Sequence, residues 1–161
     1  MNEQVKEALI LREELHYEES KKLFVRLVEE YPDNAFINYQ CAWSCDILGE
    51  ERKAILFYEQ AIKLGLSGEE LEGAYLGLGS TYRSLGEYKL AEKMLLKGIK
   101  EFPRNEAIKV FLSITLYNLK EHKKATELLL TLLLNTTKNE DILLYRKAIE
   151  LYTENLDTIW E

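Results

Sequence analysis

The sequence holds only two prolines, two cysteines, two histidines and eight glycines in 161 residues. So few breakers leave room for long helices and argue against low-complexity disorder. Two cysteines cannot build a disulfide framework. Met1-Asn2-Glu3-Gln4 supplies no basic stretch, and no apolar stretch follows it. No signal peptide is therefore expected, and a reducing compartment, the cytoplasm, is the expected location. Long hydrophobic runs are missing as well. The greasiest, Leu128 to Leu134, falls far short of the ~20 residues of a membrane span, so no membrane partner is expected. Basic charge is in deficit, with 21 Lys and Arg against 28 Asp and Glu for a net charge of −7. The acid excess lies in residues 1–34 and 140–161. An acidic chain without a basic stripe lacks the electrostatic footprint of a nucleic-acid binder, and no nucleic-acid partner is expected.

What is present suits helices. The chain is 47% hydrophobic and 30% charged, the balance of a soluble, mostly helical protein. At this length it is one domain or an array of small units, able to bury roughly 70% of its unfolded surface.

The apolar pattern repeats. Downstream of the turn glycine Gly86 lie Ala91, Leu95, Gly98 and Pro103; upstream lie Tyr82, Gly79, Leu78 and Tyr75. The same offsets from Gly49 meet Ala54, Tyr58 and Ala61 downstream, then Cys45, Ala42 and Cys41 upstream. From Leu15 they meet Ser20, Phe24, Leu27 and Pro32, with Leu11 and Ala8 behind. From Lys120 they meet Ala125, Leu129 and Leu132, with Leu116, Ser113 and Leu112 behind. Leu15 to Gly49 and Gly86 to Lys120 are each 34 residues apart, and Gly49 to Gly86 is 37. One junction thus carries a three-residue insertion, which the Gly65-Leu66-Ser67-Gly68 loop can hold. A fixed period in this range marks a stack of similar supersecondary units.

These residues resemble the tetratricopeptide repeat family. Leu78, Gly79, Tyr82, Gly86, Tyr88, Ala91 and Pro103 carry the likeness in the third unit; Ala42, Gly49, Ala54, Tyr58 and Ala61 carry it in the second. The outer units are degenerate. Leu15 and Lys120 replace the turn glycine, Ser20 the usual alanine, and Thr137 a proline. The arrangement is similar to short bacterial stand-alone proteins of tetratricopeptide group five. The resemblance implies an all-α fold, a right-handed superhelical solenoid of antiparallel helix pairs. It spans residues 1–161 with repeats at about 1–34, 35–68, 72–105 and 106–139.

Local signals agree. Small residues at Ala42, Ala54, Gly79 and Ala91 let paired helices approach, and apolar residues at i, i+3 and i+4 give each helix one buried stripe. Asn34, Asn105 and Asn139 suit N-caps, Ser67 and Glu70 have capping-box spacing, and Glu140-Asp141 suits a first turn. The spacing predicts helices over 2–14, 18–30, 35–48, 51–64, 70–85, 88–101, 106–119 and 122–134. It also predicts a ninth, over about 140–160, whose stripe is Ile142, Tyr145, Ile149, Tyr152, Leu156 and Ile159. That helix reads as a cap on the open end of the stack, with a place in the groove or against a second chain as the alternatives. Leu128 to Leu134 make the preceding helix apolar nearly all round, which calls for cover on more than one side.

Candidates for chemistry are weak. Cys41 and Cys45 fall on the same offsets as Leu78 and Tyr82, so they read as core residues; a zinc site needs more ligands. His16 and His122 sit in turns without an orienting acid or nucleophile. Gly77 and Gly79 lack the preceding strand of a phosphate loop. No catalytic residue, metal or cofactor is expected.

The resemblance places the first helix of each unit on a concave surface that holds a protein or peptide partner. The groove stripe is then Val5, Leu9 and Arg12; Tyr39, Trp43 and Asp46; Leu76, Ser80 and Arg83; and Val110, Ile114 and Tyr117, each spaced i, i+4, i+7. Family members that clamp the carboxylate tail of chaperones use lysine, asparagine and arginine where this chain has Val5, Leu9, Gln40, Gly73 and Gly77. That clamp is absent. An apolar groove suits a hydrophobic or helical segment, and an adaptor or scaffold role is expected. Self-association through the fourth unit and last helix, as a homodimer, is the competing expectation.

Overall fold

Each turn within a helix pair holds one residue in the left-handed backbone region. Gly49 (φ 70°) and Gly86 (φ 81°) take it without a side-chain penalty, but so do Leu15 (φ 67°) and Lys120 (φ 66°). In all four, the next N–H reaches back five residues to close the preceding helix: His16 to Leu11, Glu50 to Cys45, Glu87 to Tyr82 and Glu121 to Leu116, at 2.8–2.9 Å. This is the Schellman closure, which satisfies orphan carbonyls at a helix C-terminus.

The computed structural model describes residues 3–160. Four helix pairs join across those turns: α1 (Glu3–Glu13) with α2 (Tyr17–Glu30), α3 (Ala35–Ile47) with α4 (Glu51–Lys63), α5 (Gly68–Ser84) with α6 (Tyr88–Glu101), and α7 (Glu106–Asn118) with α8 (His122–Thr136). Between pairs, Asn34 and Asn105 cap the next helix by accepting from the Ile37 and Ile108 N–H groups at 3.0 and 3.1 Å. Each pair packs on the next through α2–α3, α4–α5 and α6–α7, while α3 also meets α5 and α5 meets α7. The first helices therefore form the tighter inner row. The architecture is an α–α superhelical solenoid.

Small residues set the spacing. Ala8, Ala42, Ala54, Ala61, Ala74 and Ala91 are all fully buried. A Cβ on Gly79 would stand 2.6 Å from Leu95 Cγ, so no larger residue fits without displacing that leucine. Ser20, in place of alanine, is equally buried and donates its hydroxyl to the Ala8 carbonyl at 2.7 Å, which satisfies the polar atom it brings into the core. The buried core runs from Val5 to Ala91 across the first three units, and a second cluster of Leu95, Ile108, Leu112, Leu116 and Ala125 continues it into the fourth.

Several expectations need correction. The last segment is not one helix over 140–160 but two, α9 (Glu140–Leu144) and α10 (Arg146–Glu154). Asn139 caps α9 by accepting from the Ile142 N–H at 3.1 Å. Tyr145, at φ −99° and ψ 13°, bends the chain so that α10 can lie along α8, where Arg146 reaches the Leu134 carbonyl at 2.9 Å. The buried residue of α10 is Thr153, while Tyr145, Tyr152 and Ile159 of the expected stripe are exposed. Ser67 makes no side-chain cap, because Gly68 (φ 64°) redirects the chain before the first turn. The apolar surround of α8 is half covered: Leu132 and Leu134 are buried, Leu129 and Leu133 are not.

The shared turn geometry sets the sign of three substitutions. Leu15 is exposed, so its side chain contributes little while its φ costs about 1–2 kcal/mol. Leu15→Gly and Lys120→Gly should each stabilise the fold by about 0.5–1 kcal/mol after the entropy cost of glycine is subtracted. Gly86→Ala should destabilise it by about 1 kcal/mol through φ alone, since nothing lies within 4 Å of the added Cβ. Urea unfolding of the three variants checks the signs.

Candidate partner groove

Residues at i, i+4 and i+7 share one face of each first helix, and the four expected stripes differ in exposure. Four expected groove residues are openly exposed: Trp43 (43%), Val110 (37%), Ile114 (38%) and Tyr117 (61%). Tyr39, Leu76, Ser80 and Arg83 are half-buried. In the first unit the expected stripe is largely consumed by packing. Val5 belongs to the core and Arg12 is only 8% exposed.

Arg12 is the side chain that sequence reasoning undervalued. Its guanidinium carbon lies 4.1 Å from the centre of the Trp43 ring and 5.4 Å from that of Phe24. It donates to the Gln40 carbonyl at 3.4 Å, to the Gln40 side-chain oxygen, and to the Ser44 hydroxyl at 3.5 Å. Burial pulls its pKa below the ordinary value, yet a guanidinium stays charged. The cation is thus held by aromatic faces and neutral acceptors, and it packs on the ring of Trp43, a residue that is itself partly exposed. A lone arginine at i+7 of a groove stripe gave no hint of this. The signal that could have found it was Gln40 and Ser44, two polar residues on the neighbouring helix in otherwise apolar company.

Tyr39 forms a tilted aromatic run with Trp43 and Tyr58, with ring centres 6.3 and 6.2 Å away. Two glycines of α5 make room for it. A Cβ on Gly73 would collide with the Tyr39 hydroxyl, and one on Gly77 with that of Tyr58. Gly77, which has no role in the repeat pattern, is thereby explained: it lets a second-helix tyrosine reach the inner row. That pairing joins α4 to α5, and sequence spacing carries no signal of it.

Asp46 does not stand free in the groove as expected. One carboxylate oxygen accepts from the Tyr58 hydroxyl at 3.4 Å and the other lies 3.2 Å from the Thr81 hydroxyl, whose proton is shared with the Gly77 carbonyl at 2.7 Å, so Asp46 ties α3 to α4 and α5. Burial raises its pKa, opposed by these hydrogen bonds. The same packing pushes the Tyr58 phenol up, again chiefly by burial. Arg83, one unit further on, reaches Asn118 Oδ1 on α7 at 3.4 Å, and its Nε is buried without a hydrogen-bond partner. Neither Arg12 nor Arg83 has a carboxylate within ion-pair distance among the described residues.

The remaining candidates are accounted for by packing. Cys41 and Cys45 are buried free thiols; their mutual hydrogen bond, with burial, holds the Cys41 pKa above the ordinary thiol range. His16 precedes α2 and is exposed, and His122 lies against Tyr117 with ring centres 4.9 Å apart. Among the described residues no cluster of three or more His, Cys, Asp or Glu side chains could hold a metal, and no helix is long and apolar enough to cross a membrane. One expectation about charge fails. Lys89, Lys93, Lys97 and Lys100 of α6 all stand exposed and line one shallow concavity, so the chain does carry a short basic stripe, partly countered by Glu92 and Glu121 against Lys89.

Comparison with known proteins agrees with this fold. A family profile described as Tetratrico peptide repeat matches residues 35–156, and the chain belongs to the tetratricopeptide repeat family. Among solved structures it is similar to YrrB, described as a TPR protein with an unusual peptide-binding site. The TM-score is 0.72 at 15% identity, covering 96% of this chain and 78% of that one. It is also similar to a double mutant of MamA RS-1 (TM-score 0.67, 13% identity, 97% of each chain). At these identities the likeness is one of fold. No curated protein matches the chain.

Asp46 yields a pH prediction. Its folded pKa is raised, so it favours the native state fully below the unfolded carboxylate pKa, and that stability is lost as pH rises through the raised value. Unfolding of wild type and Asp46→Asn should be followed from about pH 3 to 8. The wild-type minus variant difference should fall across the window between the two pKa values and then level.

Proposed function

We propose that this chain is a non-catalytic protein-interaction module that holds a segment of another protein in its concave groove, as an adaptor or scaffold in the cytoplasm of a bacterium. One observation carries the reading. Trp43, Val110, Ile114 and Tyr117 leave large apolar surfaces open on the inner row, although a solenoid of this length has neighbouring helices available to cover them. Trp and Tyr are the residue types that most often dominate interfaces. Trp43 is also pre-ordered by Arg12 beneath it, so a partner would lose little side-chain entropy in contacting it. Family membership supports a protein or peptide partner in general, and the peptide-binding site in YrrB's description supports a groove role by analogy.

Trp43→Ala and Tyr117→Ser test this. Each should weaken capture of partners from the native cell extract, by about 2 kcal/mol or more if the residue is a hot spot. The helical circular dichroism should remain, with a stability loss for Trp43→Ala of about 1 kcal/mol from the lost cation–π contact. If Trp43→Ala instead melts the protein, the residue is structural and the groove assignment fails.

A second reading, a homodimer through the fourth unit and the C-terminal helices, rests on a different surface. Leu129, Leu133, Leu144, Tyr145, Leu151 and Tyr152 are all exposed on α8, α9 and α10. Where such residues lie together on a monomer they mark an interaction surface. Under this reading light scattering finds a dimer at every concentration, and Leu144→Glu with Tyr152→Glu returns it to a monomer. A wild-type monomer at high concentration removes the dimer.

A further inference from the structure

Resting on the groove reading above, we infer that the groove holds a partner segment bearing an internal Asp or Glu side chain, whose carboxylate is received by Arg83. Charge within the inner row decides the chemistry. Three charged side chains of the expected stripe lie along it: Arg12, Asp46 and Arg83. Arg12 is spent on Trp43, Phe24, Gln40 and Ser44 and is buried beneath the ring. Asp46 is spent on Tyr58 and Thr81. Arg83 is not. It is half-buried, and among the described residues its one hydrogen bond runs to a neutral amide at 3.4 Å; the Nε is buried out of a partner's reach, which leaves the terminal nitrogens to meet one. A guanidinium offers five donors in a fork that matches a carboxylate, so Arg83 is the part of the groove whose donors are least satisfied.

Its place along the solenoid selects the kind of carboxylate. Arg83 bridges α5 to Asn118 of α7. Ile114, one turn before Asn118, shares its helix face, and Ile114 and the adjoining Tyr117 are exposed. Trp43 lies on the other side, one unit earlier. A chain terminus seated on Arg83 would leave either the Trp43 end or the Tyr117 end uncovered. A segment that passes Arg83 covers both, and its carboxylate there is a side chain flanked by large apolar residues. The residues of the chaperone-tail clamp are missing from this groove, so Arg83 is not part of that device.

The test uses an array of synthetic 12-residue peptides, each with one central Glu flanked by Leu, Phe and Trp in varied order and with an amidated C-terminus. Each has a Glu→Gln twin, and each Gln twin is also made with a free C-terminal carboxylate. Binding is read by fluorescence polarisation on full-length wild type, Arg83→Gln and Trp43→Ala, after thermal unfolding has verified that the variants fold. The Glu peptides should bind wild type about tenfold or more tightly than their twins. That preference should vanish in Arg83→Gln and shrink with added salt, while Trp43→Ala weakens Glu and Gln peptides alike. Equal binding of Glu and Gln peptides to wild type overturns the inference even if Arg83→Gln does not fold. So does a preference that survives Arg83→Gln, or tight binding confined to free-terminus peptides. With Trp43→Ala still harmful, those results leave the groove reading standing. A harmless Trp43→Ala, or no binding by any peptide, counts against both.

Discussion

Two helices can share one narrow core only where at least one of them is small at the crossing, and the helix pairs of this chain are built on that constraint. Ala42 against the α4 alanines, and Gly79 against Leu95, bring the axes close enough for the larger apolar residues on either side to interlock. The requirement recurs with the period of the unit because each pair must also pack on the next. Even Ser20, which breaks the pattern in chemistry, keeps it in volume and hands its hydroxyl to a carbonyl across the contact. The Schellman turns serve the same end. They reverse the chain within a few residues, so that each second helix returns at once to the small face of the first.

That economy leaves the inner row with more surface than the core can use, and the chain treats its length unevenly. In the first unit Val5 and Arg12 turn inward. In the second, Tyr39, Trp43 and Tyr58 form an aromatic run seated against the two glycines of α5 and anchored by Arg12. In the fourth, Val110, Ile114 and Tyr117 stay open. The inner row therefore has an aromatic end packed on Arg12 and an open end of Val110, Ile114 and Tyr117, with Arg83 between them. Rigidity at Trp43 comes from a buried cation that has no carboxylate partner among the described residues, an arrangement maintained by polarizable ring faces and neutral acceptors.

The fold was legible because it rests on local rules repeated four times. Turn position, small-residue offsets and asparagine caps each fall at fixed distances in the chain, so each can be counted. The last segment was less legible. Its apolar spacing suited one long helix, but Tyr145 bends it, and the stripe that spacing nominated is partly exposed. That segment is placed by what α8 leaves uncovered, which no local pattern records.

The candidate site divides in the same way. The family resemblance, taken with helical spacing, nominated Trp43, Val110, Ile114 and Tyr117 for the open side of the first helices, and all four are exposed. Asp46 sat on the same stripe but is engaged by Tyr58 and Thr81 from two other helices, and Arg12 by a ring 31 residues away in the chain. Whether a side chain on the right face is free or already satisfied depends on partners brought by neighbouring units. By itself the sequence determined the repeat, the turns within pairs and the small-residue faces on which the pairs close, because those follow from contacts within one unit. Only the tertiary structure decided which facing residues have bonds to spare, because those bonds are made between units, across distances that no single period encodes.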